Sequence, residues 1–427
     1  MEKFVIEGGA RLSGEVVPGG NKNEALPCLA ATLLTDEPVI LRNLPQIKDV
    51  LVMLDVLREL GGSVEWIDDN AVRIQNNLSG LVHLPVEQCK RIRASILFAG
   101  PLLGRQGEVE LPPPGGDVIG RRRLDTHFLG FRGLGAAIDW RNKLYRITAA
   151  RLQGARIFLD EASVTGTENI VMAAVLAKGQ SVLSNVACEP HVQGLCRMLQ
   201  GMGATIDGIG TNRLIIDGSD SLGGVDHTIG PDFMEVASWI GLAAMTRSAL
   251  TIKNVVAEDL RMVRVVYNKL GVGFELRGND LWVPADQPLE IVNDFHNEIP
   301  QISDAPWPAF PTDLMSIAIT MATVSRGTVL FFEKMFEGRM FFTDSLRSMG
   351  ARIILCDPHR AVVVGPAKLY GATLESPDVR AGMALLIAAL AAEGQSTIYN
   401  IRQIDRGYER IDQKLQALGA NIQRLPV

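Results

Sequence analysis

The stretch LGAAIDW, residues 134–140, is one statement of a phrase that returns as LGGSVEW at Leu60, MGATIDG at Met202, LGVGFEL at Leu270, MGARIIL at Met349 and LGANIQR at Leu418. Its glycines stand at 61, 135, 203, 271, 350 and 419, separated by 74, 68, 68, 79 and 69 residues, and a helical pattern of apolar residues precedes each. A glycine past the last helical residue permits the left-handed turn that ends a helix, so each phrase predicts a helix passing into a strand. A second phrase runs in register with the first: an apolar, alanine-rich helix, a short turn and a β-branched strand. It reads AATLLTDEPVILRN, GPLLGRQGEVELPP, MAAVLAKGQSVLSN, GLAAMTRSALTIKN, TMATVSRGTVLFFE and AALAAEGQSTIYN. Six copies of one α/β unit, each of roughly 70 residues with two helices and three or four strands, follow from the two phrases together.

At 427 residues the chain exceeds one ordinary core, and six copies divide naturally into two domains of three. The glycine-rich LGGVDHTIGP, residues 222–231, offers a boundary, giving 22–230 as one domain and 1–21 with 231–427 as the other. Ile170 to Ala177 and Ala384 to Ala392 are apolar nearly all round while the strands alternate. That pattern places helices inside and leaves each sheet with one face in water, the reverse of ordinary α/β layering, with ligand expected between the halves.

Composition narrows the function. With 47% hydrophobic and 21% charged residues and a net charge of −6, the chain is of the globular class and lacks a basic bias toward nucleic acid. Its five cysteines, 28, 89, 188, 196 and 356, show no CxxC spacing, which argues against a disulfide framework or a zinc site and fits a reducing cytoplasm. The apolar runs near Ala30, Met172 and Leu385 are too short or too interrupted to span a bilayer.

Charged groups then concentrate at particular places. LPPPGGDVIGRRRLDTH, residues 111–127, holds Asp117 beyond a stiff proline run and two permissive glycines, with Arg121 to Arg123 close behind. A carboxylic acid near three permanent cations suits a phosphate-bearing ligand and a proton donor, although such loops are also ordinary solvated connections. Lys22 and Asn23 open the apolar helix of copy one, and Arg93 leads into that of copy two, where helix N-termini favour anions. In SVTGTENI, Ser163, Thr165, Thr167 and Asn169 supply hydroxyl and amide groups for a sugar or pyrophosphate, or merely a cap. Asp313 opens the helix of copy five and on its own reads as an N-cap. Arg339, Asp378, Arg380 and Arg406 are charges set in apolar or glycine-rich text.

On the motifs GGNKNEALP, RASI, GGDVIGRRRLDTH, SVTGTENI, PAFPTD, FEGR, PDVRAG and IDRGYERI, the chain from Phe4 to Ile422 closely resembles the UDP-N-acetylglucosamine enolpyruvyl transferases of peptidoglycan synthesis. It is more distantly similar to the 3-phosphoshikimate enolpyruvyl transferases. The resemblance implies an inside-out α/β barrel of two three-repeat domains, with the first residues returning to the C-terminal domain. It implies that Lys22 and Asn23 bind phosphoenolpyruvate and that Arg93, Arg122, Arg123, Leu124, Asp125, Thr126, Asp313 and Met335 line the sugar nucleotide, beside Ser163 and Asp378. Arg339, Arg380 and Arg406 would hold the carboxylate and phosphate, and Lys22, Asp117, Asp313 and Arg406 form the catalytic set. Asp117 falls where most members carry a proton-donating cysteine. Three departures touch the nucleotide contacts: Arg123 replaces a usual proline, Glu161 a frequent lysine and Gly338 an asparagine. The resemblance implies no cofactor or metal, and phosphoenolpyruvate and UDP-N-acetylglucosamine are the expected partners of a cytoplasmic monomer.

Three rival readings remain at this stage: another acceptor, such as a modified UDP-sugar or shikimate 3-phosphate; nucleic-acid chemistry like that of the repeat-sharing RNA 3′-phosphate cyclases; and a sensor without turnover. The acidic net charge opposes the second, and retention of Lys22, Asp313 and Arg406 opposes the third. The aspartate at 117 yields a direct expectation. Epoxides such as fosfomycin alkylate the loop cysteine of the family, and a carboxylate is a far weaker nucleophile than a thiolate. The wild type should therefore resist inactivation over a time course, Asp117→Cys should become sensitive while keeping turnover, and Asp117→Asn should lose turnover. Rapid wild-type inactivation, or an active Asp117→Asn, would remove Asp117 from the proton-donor role.

Overall fold

The repeating glycines end helices by one shared geometry. In the computed structural model, which describes residues 2–78, 83–116 and 119–427, they take φ of +90°, +93°, +101°, +73°, +107° and +96° at 61, 135, 203, 271, 350 and 419. The next residue's N–H then reaches back five residues, Gly62 to Leu57, Ala136 to Phe131, Ala204 to Leu199, Val272 to Tyr267, Ala351 to Leu346 and Ala420 to Leu415, at 2.9–3.0 Å. This closure satisfies carbonyls that the helix end would leave unpaired and turns the chain into the following strand or extended segment.

Among the described residues the strands form six sheets, one per copy. Five have four strands, each with one parallel and two antiparallel pairings. The sixth, of Glu108–Leu111, Leu144–Thr148 and Ala137–Arg141, gains a parallel bridge from His83 to Glu110. The N-terminal strand Glu2–Glu7 inserts between Gln395–Tyr399 and Asn421–Pro426, completing the sheet of copy six. The six sheets are hydrogen-bonded separately and not joined into one closed barrel; the layering is what is inside out.

The chain divides into two compact units. One comprises residues 1–19, 118–121 and 231–427 and is called here the C-terminal unit; the other comprises 20–117 and 122–230 and is called the N-terminal unit. Gly20 and Asn21 belong with the N-terminal unit, because the Asn21 N–H donates to the Gly230 carbonyl at 2.7 Å. In the C-terminal unit the helices Phe233–Met245, Met315–Ala322 and Val379–Ala391 pack on one another, buried almost throughout. In the N-terminal unit, Lys22–Ala31 packs on Val164–Ala174, and Val164–Ala174 on Ala99–Gln106. Each unit has its own apolar core. Helices surrounded in this way need apolar residues on every face, and each fully buried Leu, Ile or Met contributes about 1.5–3 kcal/mol. No helix among the described residues is long and apolar enough to cross a membrane.

A further regularity lies at the strand ends. Asn43, Asn185 and Asn400 each take positive φ (53°, 60° and 55°) one residue past the strand of the second phrase. Each side-chain amide donates to the carbonyl one residue past the parallel neighbour, Ile229, Leu159 and Ser376, at 2.9 Å. Asparagine suits both requirements, since it tolerates the left-handed region and carries a donor of the right reach.

The helix-end geometry is directly testable at Gly203, where no atom lies within 4 Å of an added Cβ and only the +101° φ resists a side chain. Gly203→Ala should lower stability by about 1 kcal/mol through left-handed strain alone, read as a shift in the denaturant or thermal midpoint. An unshifted midpoint would contradict the account of these turns.

Candidate active site

A charged cluster of the C-terminal unit centres on Asp313. The helix of copy five, Met315–Ala322, has Leu314 at its N-cap and no side-chain cap, so the capping reading of Asp313 is overturned. Its carboxylate instead accepts from Arg339 Nη2 at 2.5 Å and from Arg380 Nε at 3.1 Å. Arg380 is buried in the first turn of Val379–Ala391, where Asp378 caps the helix by accepting from the N–H groups of Arg380 and Ala381. Arg380 Nη1 also reaches the Tyr408 hydroxyl at 3.3 Å. Burial works against its charge, but Asp313, Tyr408 and Asp232 outweigh that cost and hold it more firmly protonated than usual. Arg339 Nε is buried and without an acceptor among the described residues. One carboxylate thus faces two guanidinium groups and leaves one buried guanidinium donor unused, an arrangement able to hold a small anion. Arg406, in the turn Ile404–Arg406, bonds Gln403 at 2.9 Å, and Met335 is half-exposed.

The N-terminal unit has its own cations. Asn21 caps Lys22–Ala31 by accepting from Asn23 N–H at 2.9 Å. Lys22 pairs with Asp49 at 2.8 Å, both side chains being nearly buried. Asp49 was missed in the sequence because an acid in the first turn of an amphipathic helix is ordinary there. Arg93 donates to the carbonyls of Arg122 and Arg123 at 2.8 and 2.9 Å. Burial, helped by the Arg122 charge, pulls Arg93 down to about 10. Two arginines crowded in this way favour an intervening anion. Beside them Thr126 donates to Asp160 at 2.7 Å, and Leu124 and Asp125 lead into the helix Asp125–Gly133. His127 is driven down to about 3 by burial and then by Arg93, so it is neutral.

Two of the positions where the resemblance leads one to expect other residues are paired: Arg123 lies 3.6 Å from Asp160 and 3.7 Å from Glu161, so this arginine and glutamate form an ion pair. The third has a steric reason. Gly338 N–H donates to Ile119 O at 2.9 Å, and a Cβ at 338 would sit 2.7 Å from the Ile119 carbonyl carbon. The expectation for SVTGTENI needs correction. Ser163 caps Val164–Ala174 through Gly166 N–H. Thr167 accepts from Ala187 N–H, and Asn169 is spent on Gly100, Ile96 and His127; both are fully buried and unavailable to a ligand. Asp117 lies outside the described residues. Around it, Gly115 N–H bonds the Cys89 carbonyl and Arg121 N–H bonds Glu337.

The sequence profile of the family described as EPSP synthase (3-phosphoshikimate 1-carboxyvinyltransferase) matches residues 6–415. The chain belongs to this family. Among curated relatives within it, the UDP-N-acetylglucosamine 1-carboxyvinyltransferase of Bradyrhizobium diazoefficiens is 54% identical, over 99% of this chain and 98% of its own. That of Treponema denticola is 53% identical over 99% of both. Of solved family structures, the enolpyruvyl transferase NikO from Streptomyces tendae superposes with a TM-score of 0.88 at 23% identity, covering 100% of this chain and 99% of that one. EPSP synthase from Acinetobacter baumannii has a TM-score of 0.76 at 17% identity, covering all of both chains, so the fold is shared at low identity.

Because Asp313 is the counter-charge of a buried arginine, Asp313→Asn should do more than alter catalysis. Stability should fall by about 2 kcal/mol, below the value for a fully buried pair because Asp313 keeps some contact with water, and turnover by roughly 10²-fold or more. Thermal unfolding together with steady-state kinetics checks both; normal values of each would return Asp313 to an incidental role.

Proposed function

We propose that this chain transfers the enolpyruvyl group of phosphoenolpyruvate to the 3-hydroxyl of UDP-N-acetylglucosamine and releases phosphate, the first committed step of peptidoglycan synthesis. Full-length identity above half with relatives of that activity supports the acceptor. The observation that carries the chemistry is the Asp313 carboxylate held by Arg339 and Arg380 with Arg339 Nε unused.

In this reading the sugar hydroxyl adds to the second carbon of phosphoenolpyruvate, and Asp313 lies near that hydroxyl to orient it and receive its proton. The third carbon takes a proton from Asp117. Phosphate then leaves from the tetrahedral intermediate as the third carbon gives up a proton, to the carboxylate that Asp117 became on donating its own, and the carbon–carbon double bond reforms. Arg339, Arg380 and Arg406 hold the carboxylate and phosphate, with Lys22 and Asn23 on phosphoenolpyruvate. Arg93, Arg122 to Thr126, Ser163 and Met335 line the nucleotide, and Asp378 acts by fixing the first turn that carries Arg380. The Arg123 pairing with Glu161 supports a nucleotide edge that carries an ion pair at these two positions. Both substrates are anions that do not cross membranes unaided, which supports a cytoplasmic place, and one chain carries every group invoked, which supports a monomer.

Phosphate release from phosphoenolpyruvate, assayed with UDP-N-acetylglucosamine, other UDP-sugars and shikimate 3-phosphate, tests the reading. UDP-N-acetylglucosamine should give the highest kcat/KM by at least about tenfold, about 1.4 kcal/mol in the transition state. Preference for shikimate 3-phosphate or for another UDP-sugar would overturn the acceptor, and no release with any would overturn the reaction.

A further inference from the structure

Copy five departs from the strand-end pattern of copies one, three and six. In copies one, three and six an asparagine follows the strand of the second phrase and its amide bonds the carbonyl just past the parallel neighbour. In copy five the parallel register pairs Ser303 with Phe332, as Thr228 pairs with Arg42, Phe158 with Ser184 and Glu375 with Tyr399. The equivalent two residues are therefore Glu333 and Asp304. An amide-to-carbonyl bond has been replaced by two carboxyl groups, both fully buried.

The donors around them support one negative charge and not two. Asp304 Oδ1 accepts from Lys334 N–H at 2.6 Å. Glu333 Oε1 accepts from the N–H groups of Met335 and Phe336, each at 3.1 Å, and the Thr312 hydroxyl lies 2.9–3.0 Å from both Glu333 oxygens. Asp304 Oδ2 is buried with no donor among the described residues. Two adjacent buried carboxylates would be mutually repulsive and one oxygen would be unsatisfied, whereas a single proton between Asp304 Oδ2 and Glu333 removes both problems. The charged neighbours are few: Arg339 favours ionisation, Lys334 contributes its backbone, and His359 Nδ1 bonds the Glu333 carbonyl, not its carboxyl.

These contacts reach the candidate site. Thr312 adjoins Asp313, and the bonded N–H groups of residues 334–336 begin the turn that presents Met335 and Arg339. We propose that Asp304 and Glu333 form a one-proton carboxylic acid–carboxylate pair that positions the Thr312–Asp313 and Met335–Arg339 segments, so that loss of the shared proton loosens nucleotide binding. These are positioning residues, since neither is assigned a contact with substrate, and the inference rests on the function proposed above.

Burial, followed by the Asp304 contact and charge, raises Glu333 to about 8. A carboxyl raised in the folded protein keeps its proton below that value and loses it as pH rises through it, so the defect belongs to the alkaline side. Infrared difference spectra of the unliganded protein between about pH 6 and pH 10 should show a protonated carboxyl band disappearing near pH 8. Over the same interval KM for UDP-N-acetylglucosamine should rise by about tenfold per pH unit above that point, with kcat changing less. Asp304→Asn places a permanent donor against Glu333 and should abolish both the band and the KM slope; Glu333→Gln serves if that variant fails to fold. No carboxyl band titrating above about pH 6, or a KM slope in the amide variant as steep as in wild type, would overturn the pair. The infrared readout needs no substrate, so a wrong acceptor assignment would leave the band intact while removing only the activity with UDP-N-acetylglucosamine.

Discussion

Arg380 is a cation almost without solvent, and such a charge is tolerable only beside a fixed counter-charge. Asp313 supplies it from 67 residues away, and that single requirement ties the start of copy five to the start of copy six. Arg339 then adds a second guanidinium to the same carboxylate, so two cations share one directly bonded acid and a guanidinium N–H is left unused. Tyr408 and the Asp378 cap restrict Arg380 further. A rigid cluster of this kind is preorganised for an anion, since little must move when the ligand arrives.

The repeat explains why such groups occur where they do. Each inner helix is apolar along most of its length, and the groups singled out here stand at its N-terminal end. Asn21 and Lys22, Arg93, Ser163, Asp232, Asp313 and Asp378 all stand at or just before the first turn of an inner helix or of the turn leading into it. The fold thus offers six equivalent helix starts, and each has been used differently: a capped lysine, a crowded arginine, a serine cap, a buried aspartate cap, the Asp313 cluster and an aspartate cap that orients Arg380. Copy five carries the additional change of an acid pair where copies one, three and six carry an amide bond.

Much of the fold was legible because it depends on local rules. A glycine with positive φ leaves a mark at Gly61, Gly135 and their four counterparts, and an all-apolar helix leaves another at Ile170 or Ala384. The strand-end asparagines were equally present, as the last letters of the second phrase, but their meaning needs the parallel neighbour to be known. The site was legible as residue types and illegible as partnerships. Asp313 looked like a cap because its helix begins two residues later, and only the tertiary fold brings Arg339 and Arg380 to it. Lys22 with Asp49, and Arg123 with Glu161, are likewise pairings between segments distant in the chain. The Asp304–Glu333 contact left no mark, because isolated acids near strand ends are ordinarily solvated.

The role of the Arg339–Asp313–Arg380 cluster is tested most directly by calorimetric titration of phosphoenolpyruvate into the UDP-N-acetylglucosamine-bound enzyme in the Asp117→Asn background, which is expected not to turn over, with and without Arg339→Gln. Loss of one charged donor from an anion seat should weaken the affinity by about 1.5–3 kcal/mol, roughly 10- to 150-fold in Kd, while the affinity for UDP-N-acetylglucosamine alone changes much less. An unchanged affinity for phosphoenolpyruvate would contradict the assignment of this cluster as the seat of its anionic groups.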